Sequence, residues 1–393
     1  MHSQQKVFLA SVFLGLFGFI SFNIYLPAMP NITASFHTTS SIAKHSLTLF
    51  LLGFSVSQFL WGSLSSKYGR KNSALWGLIV ASFGTCCAIA SPNIELFNIS
   101  RLIEGFGIGC ASVLWRTLLS DSLDHANLSK AMSTIVSVTN IVPILAPLLG
   151  SYIILFFNWQ GIFIVLLILN ILLITFFYKY LHETNKNLKP KFSIKHAYFE
   201  YAHVFTNYKA LAYMVPYAIL SGGIIGYNAA APFIFINHLH ILAQHYAYLL
   251  ILTVISYIAG ARISHKICDK IGFDNTILMG TGLGIIPGVI YYLLSLWLPL
   301  SIIAVIAPMM IYTFMAGIVT PISNACALHG LKKVAGAGSA VLSTFVYSAA
   351  TLTTHFITSL DLSQLTSLGL YTLLVSVTPF VIFYILVKFI KNN

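Results

Sequence analysis

Ser100-Arg-Leu-Ile-Glu-Gly-Phe-Gly-Ile-Gly-Cys-Ala-Ser-Val-Leu-Trp-Arg116 is an apolar stretch that nevertheless carries Arg101, Glu104 and Arg116. Only 8% of the chain is charged and 58% is hydrophobic, so charges inside such a run call for a reason. Arg101 and Glu104 are three residues apart, which on a helix sets them on one face within reach of each other. Ionisable groups inside a membrane span cost about 2.5 to 3.5 kcal/mol on insertion scales unless they pair or line a water-filled cavity. The stretch therefore reads as a membrane helix with a polar, functional face.

The remainder of the chain has the same character. Over 393 residues with 14% aromatics and a mean hydropathy of +0.86, apolar runs alternate with short polar gaps, as in a multi-span helical membrane protein. The runs continue for about 20 residues without the two-residue alternation of barrel strands. We place spans at 7–29, 44–65, 73–91, 96–119, 131–157 and 159–181, then at 209–236, 245–266, 275–297, 300–324, 336–359 and 367–388. The run from Val7 to Ala28 is too long for a signal-peptide core and is expected to stay as the first span.

The positive charges fall in every second gap. Lys67, Arg70 and Lys71 lie in the second; Lys130 in the fourth; Lys179, Lys186, Lys189, Lys191 and Lys195 in the sixth; Lys266 and Lys270 in the eighth; Lys332 and Lys333 in the tenth; Lys388 and Lys391 at the C-terminus. The intervening gaps carry only Lys44, at the edge of one. The positive-inside rule puts the basic gaps and both termini in the cytoplasm, and it accounts for the formal charge of +12 without a nucleic-acid partner. The expected organisation is a six-helix bundle over 1–181, a basic cytoplasmic linker over 182–208 with an amphipathic helix at 192–204, and a second bundle over 209–393. Paired six-helix halves suggest a substrate site between them near the midplane. The five cysteines, Cys86, Cys87, Cys110, Cys268 and Cys326, show no metal-ligand spacing and read as small buried side chains.

Gly62-Ser-Leu-Ser-Ser-Lys67-Tyr-Gly69-Arg70-Lys71 resembles the signature loop of the major facilitator superfamily, GxLxDRxGRK, with Ser66 in place of the Asp. Gly62 allows a close helix contact, Gly69 a tight turn, and Asp121 is a partner for Arg70. Cys268-Asp-Lys-Ile-Gly272 is a degraded copy in the second half. Asn23-Ile-Tyr25-Leu-Pro-Ala-Met-Pro30 is similar to the DMYLPALP segment of the Bcr/CflA branch of drug:proton antiporters, Arg101-Leu-Ile-Glu104-Gly105 to its RxxQG pattern, and Pro143-Ile-Leu-Ala-Pro147-Leu-Leu-Gly150 to its antiporter motif. Pro232-Phe-Ile234 and Ala335-Gly-Ala-Gly-Ser-Ala340 match further segments of that branch. The resemblance implies an all-α membrane protein of twelve transmembrane helices in two pseudo-symmetric bundles, in a bacterial inner membrane. It also implies export of small organic molecules by alternating access, without a cofactor and driven by the proton gradient. We expect a monomer, with a small-molecule substrate and the lipid bilayer as partners.

Two departures from that branch direct attention back to the opening stretch. Asn23 stands where the branch has Asp and cannot exchange a proton near neutral pH, while Glu104 stands where it has Gln. Glu104 is therefore a candidate proton site, its charged form favoured by Arg101 and disfavoured by burial; the alternative is a permanent pair that orients substrate or holds helices together. Tyr25, Tyr227 and Asn228 are further cavity candidates. Arg116 either holds an anionic substrate or snorkels to the surface, and His355 either titrates or packs. The Pro143 and Pro147 bend is associated with exporters in the family. Loss of the Asp at position 23 keeps a second reading open, uptake or facilitated transport of a nutrient or siderophore-like compound. No HExxH, GxSxG or phosphate-binding GxxxxGK[ST] pattern is present, which argues against an enzyme or an ATP-driven pump.

Overall fold

The computed structural model describes residues 3–123, 131, 132, 134, 135, 138, 139, 141–185, 194–298, 301–331 and 334–392. Lys130, Lys186, Lys189, Lys191, Lys332 and Lys333, which carry part of the orientation expectation, lie outside the described residues. The chain divides into two compact units, Met1–Ile194 and Lys195–Asn393. The described residues are helical, without strands.

The first unit contains α1 (Ser3–Asn23), a 3-10 turn (Leu26–Ala28), α2 (Met29–Ser35), α3 (Ser40–Tyr68), α4 (Arg70–Ile89), α5 (Ile94–Ser122), α6 (Val142–Phe156) and α7 (Trp159–Tyr180). The second contains α8 (Ile194–Thr206), α9 (Tyr208–Pro232), a π-helical turn (Phe233–His238), α10 (Ala243–Ile271), α11 (Phe273–Leu283), α12 (Ile286–Trp297), α13 (Ile302–His329), α14 (Ala335–Thr358) and α15 (Leu365–Asn392). Among the described residues, eleven segments are long and apolar enough to cross a membrane, and Leu145–Phe156 is a shorter twelfth. Span five, expected at 131–157, is described as a helix over Val142–Phe156, and residues 133, 136, 137 and 140 lie outside the described residues. The helix at the linker is described over Ile194–Thr206 and ends two residues beyond the expected 204; residues 192 and 193 lie outside the described residues.

The side-chain distribution is that of a protein dissolved in hydrocarbon. Phe83, Phe156, Leu172, Ile303 and Leu352 point outward, while Arg101, Glu104, Gln58 and Asn170 are buried. Only lipid makes that arrangement favourable, since in water the large exposed apolar area would drive association. The same preference corrects one expectation: Cys110 and Cys268 are buried, but Cys87 and Cys326 are only half-buried and Cys86 of α4 is exposed. Lys44 also departs from its expected place at the edge of a gap; it sits inside α3 and is buried.

α5 is the centre of the first unit, flanked by α1, α3 and α4. Asn93 starts it, its side-chain oxygen accepting from the Leu96 N–H at 2.9 Å. Glycines then let neighbours close in. A Cβ at Gly105 would meet the Phe50 backbone of α3, and one at Gly84 would lie 2.8 Å from the Glu104 Cα, so α3 and α4 clamp α5 at the level of the charged pair. Gly62, expected to serve this purpose, does not: its nearest neighbour would be Val113 Cγ1 at 3.7 Å, an ordinary contact.

Both units repeat one device. A 29-residue helix, α3 or α10, ends at a glycine of positive φ, Gly69 at 95° or Gly272 at 83°, and the next helix begins at once. Positive φ strains any residue with a Cβ, so the two glycines specify the turn. In the second unit, α9 is held by hydroxyls from three helices. Tyr312 of α13 donates to Leu220 O at 3.1 Å, Thr353 of α14 to Gly222 O at 2.7 Å and Tyr371 of α15 to Gly223 O at 2.7 Å.

Candidate functional site

Arg101 and Glu104 form an i, i+3 ion pair on α5, Arg101 Nη1 donating to Glu104 Oε2, with side chains 0% and 2% exposed. Nη2 donates to the Ser21 carbonyl at the end of α1, 3.2 Å away. The Arg101 Nε–H is buried and has no partner. Three rings enclose the guanidinium: Tyr25 at 4.2 Å, Phe50 at 4.5 Å and Phe163 at 5.3 Å from their centroids. Each desolvated ring face adds cation–π attraction of about 1–2 kcal/mol. Thr85 of α4 lies near the Glu104 carboxylate, its hydroxyl donating to Ala81 O at 2.9 Å. The residues arrive from α3, α4, α5, α7 and the turn after α1, so the box exists only in the folded unit.

That turn is where α1 stops. Tyr25 and Ala28 adopt near-helical angles around Pro27, the chain tightens into a 3-10 turn over Leu26–Ala28, and Pro30 lies in the first turn of α2. The turn directs the Tyr25 ring onto Arg101, its hydroxyl 3.4 Å from Ser46 Oγ. Asn23 is buried, and its amide donates to Phe19 O of its own helix at 2.8 Å. A Cβ at Gly150 of α6 would meet the Ile24 carbonyl, so Gly150 lets α6 press against this turn. Pro143 lies at the first turn of α6 and Pro147 inside it.

The other candidates lie elsewhere. Arg116 is four turns further along α5, donating to Ser112 O at 3.0 Å and stacking 4.7 Å from the Trp115 ring centroid. Tyr227 and Asn228 are on α9 in the second unit, Tyr227 fully buried with an unpartnered hydroxyl and Asn228 partly exposed. His355 is exposed near the end of α14.

A second constellation occupies the basic end of the first unit. Arg70 Nε donates to Asp121 Oδ2 at 2.9 Å and Nη1 to Ser65 Oγ at 2.6 Å, with Ser66 Oγ further away at 3.5 Å. Glu183 accepts from the backbone N–H groups of Arg70, at 2.8 Å, and Lys71, at 3.2 Å. Its carboxylate thus caps the N-terminus of α4, where the helix dipole favours negative charge. Lys71 Nζ donates to Tyr178 O at 3.0 Å, and Lys67 sits 4.6 Å from the ring centroid of Tyr68. The sequence reading missed Glu183, Phe50, Phe163, Thr85 and the Ser21 carbonyl. Glu183 had a signal, being a carboxylate in a basic segment directly after the sixth span; the others depend on packing between distant segments.

A helical membrane protein of two units, with an enclosed ion pair on the central helix of one and a repeated glycine turn, is in architecture a membrane carrier. A model described as the Major Facilitator Superfamily matches residues 11–354, and the chain belongs to that family. It is a multi-pass membrane transporter and not an enzyme. An uncharacterized transporter of Rickettsia felis is 26% identical over 371 residues, 92% of this chain and 91% of its own. A bicyclomycin resistance protein homolog of Haemophilus influenzae is 24% identical over 294 residues, 73% of each chain, in line with the resemblance to the Bcr/CflA branch. The crystal structure of a D-xylose-proton symporter shares the fold with a TM-score of 0.73 at 15% identity, over 96% of this chain and 97% of its own.

Proposed function

We propose that this protein exports small organic molecules across a bacterial inner membrane by alternating access, in exchange for protons, with both termini in the cytoplasm and Glu104 as the proton-exchanging group. The observation that carries the reading is the enclosed Arg101–Glu104 pair, together with Asn23 where a carboxylate would otherwise serve. When Glu104 takes up a proton its carbonyl oxygen can still accept from Arg101, so the carboxylate loses its charge while the guanidinium keeps that acceptor beside Ser21 O and the three rings. Protonation then weakens the pair, and substrate and proton can act on the same residues in turn. The drug-resistance relative supports export. Uptake is the second reading, favoured by Asn23, whose amide is committed to its own helix. Direction is tested by comparing bicyclomycin accumulation in cells with and without the protein: lower accumulation with it is expected, and higher accumulation would support uptake instead.

A further inference from the structure

Among the described residues of the first unit, Gln58 is the least satisfied side chain. It is 0% exposed, and neither Nε2 nor Oε1 has a partner. Leaving a buried polar group idle costs about 1–3 kcal/mol, and an amide has several hydrogen-bonding positions to fill. Two hydroxyls of the same helix are satisfied locally, Ser57 Oγ donating to Phe54 O at 3.1 Å and Ser65 Oγ to Gly62 O at 2.8 Å, while Thr48 Oγ1, nearer the other end, is idle too. Ser11 of α1 shares the condition of Gln58, being 0% exposed with an unpartnered hydroxyl.

The depth of these two residues is informative. Phe50, Phe54, Gln58, Trp61 and Ser65 are buried positions of α3 spaced three or four apart, and so form one stripe. The stripe starts at the ring against Arg101 and ends at the hydroxyl that accepts from Arg70. Gln58 lies about 12 Å from the first and about 10 Å from the second along the axis. On α1, Ser11 is about 15 Å from Ser21, whose carbonyl holds Arg101, and lies in the same direction. One turn further, Val7 lines a cavity of about 190 Å³ at the basic end, together with Lys6, Asp121, Tyr180, His182 and Glu183. Room for water thus lies at the basic end, and the two idle groups lie between it and the level of Glu104. Buried water occurs where otherwise unsatisfied polar groups need it.

We propose that Gln58 is a positioning residue for proton transfer: its amide, followed by the Ser11 hydroxyl, holds the internal water through which Glu104 exchanges its proton with the basic end of the unit. The inference rests on Glu104 being the proton site. In the release direction the Glu104 O–H bond breaks and the proton passes to the adjacent water. Successive waters each accept one proton and give up another until one leaves through the cavity, and the carboxylate returns to Arg101. The amide accepts and donates hydrogen bonds but holds no extra proton. Among the contacts described, the titratable groups against Glu104 are Arg101 on its own helix and Tyr25 from the turn after α1; α4 brings only the Thr85 hydroxyl. Lys6, Asp121, His182 and Glu183 face the cavity.

The test is a pH jump on the full-length protein in lipid, following the infrared carboxyl band of Glu104. A band that persists in Glu104→Gln refutes the proton site itself, independently of the pathway. With the band assigned, Gln58→Met, close in shape but unable to hold water, is expected to slow its exchange about tenfold, roughly 1.4 kcal/mol on the barrier. Gln58→Asn, smaller but still an amide, is expected to restore most of the rate. A packing role predicts the opposite order, Met tolerated and Asn damaging. Unchanged exchange in Gln58→Met, or that opposite order, overturns the proposal. Thermal unfolding of each variant verifies that it is folded.

Discussion

Replacing Glu104 by Leu is expected to destabilise the fold severely, while replacing both members of the pair is not. The single change leaves a guanidinium that is 0% exposed with only the Ser21 carbonyl and three rings for company. Those contacts exist before and after the change, so they do not offset the loss. Breaking a buried pair from one side costs about 3–5 kcal/mol. Arg101→Met strands a carboxylate instead, which can take up a proton, so it is expected to cost less at pH 5 than at pH 8. The combined Arg101→Met/Glu104→Leu protein exchanges an ion pair for apolar groups in a hydrocarbon environment. By the usual behaviour of buried pairs it should fall between unchanged and about 1–4 kcal/mol more stable than the parent. A double-mutant cycle should then give a coupling of about 3 kcal/mol or more, at the upper end for contacting residues. Equilibrium unfolding in mixed detergent measures it. Additive losses, with the double variant as unstable as the sum of the singles, would refute the view that the two charges exist for each other.

Gly105→Ala should cost about 1–3 kcal/mol by forcing α3 away from α5 at the Phe50 backbone. Gly62→Ala, with 3.7 Å to Val113 Cγ1, should be neutral or stabilising by up to about 1 kcal/mol from helix propensity; thermal unfolding compares them. Glu183→Gln removes the charge at the start of α4 and should cost roughly 0.3–1 kcal/mol, less in high salt because the site is exposed, as unfolding at two ionic strengths will measure. Asp361, in the loop before α15, is held below its ordinary value of 3.8 by the Ser363 hydroxyl and then by the Ser363 N–H. Its folded-state value being depressed, its contribution is present above the ordinary value and lost as pH falls through the folded one; the protection factor of the Ser363 amide should drop over that acid range, and in Asp361→Asn it should not.

Much of this fold was legible because lipid imposes simple rules. A run of about 20 apolar residues leaves few alternatives to a membrane helix, and α4, expected at 73–91, runs Arg70–Ile89. The Arg101–Glu104 pair was legible because it is local, three residues apart on one helix. Gly69 was legible because a positive-φ turn has a residue signature. What escaped reading depends on tertiary packing. Nothing near Phe50 or Phe163 distinguishes them from the other 27 phenylalanines until the folded unit sets their rings against Arg101. Gly62 fits the loop pattern, yet the tight approaches fall at Gly53 and Gly105, because helix crossing points depend on both partners. The expected spans 7–29 and 275–297 are interrupted in the structure, at Leu26–Ala28 and near Gly284. Pro27 and Pro287 mark both breaks, and hydropathy alone smooths over them.

The central claim is that Glu104 couples transport to protons. Its most direct test is bicyclomycin flux in liposomes containing the full-length protein, with an imposed pH gradient and a pH dye in the lumen, comparing the parent with Glu104→Gln. Glu104→Gln keeps an uncharged hydrogen-bonding partner beside Arg101. The parent is expected to move protons against drug, and the variant to retain exchange of drug for drug but lose the response to the gradient. Gradient-driven flux of equal size in the variant would contradict it.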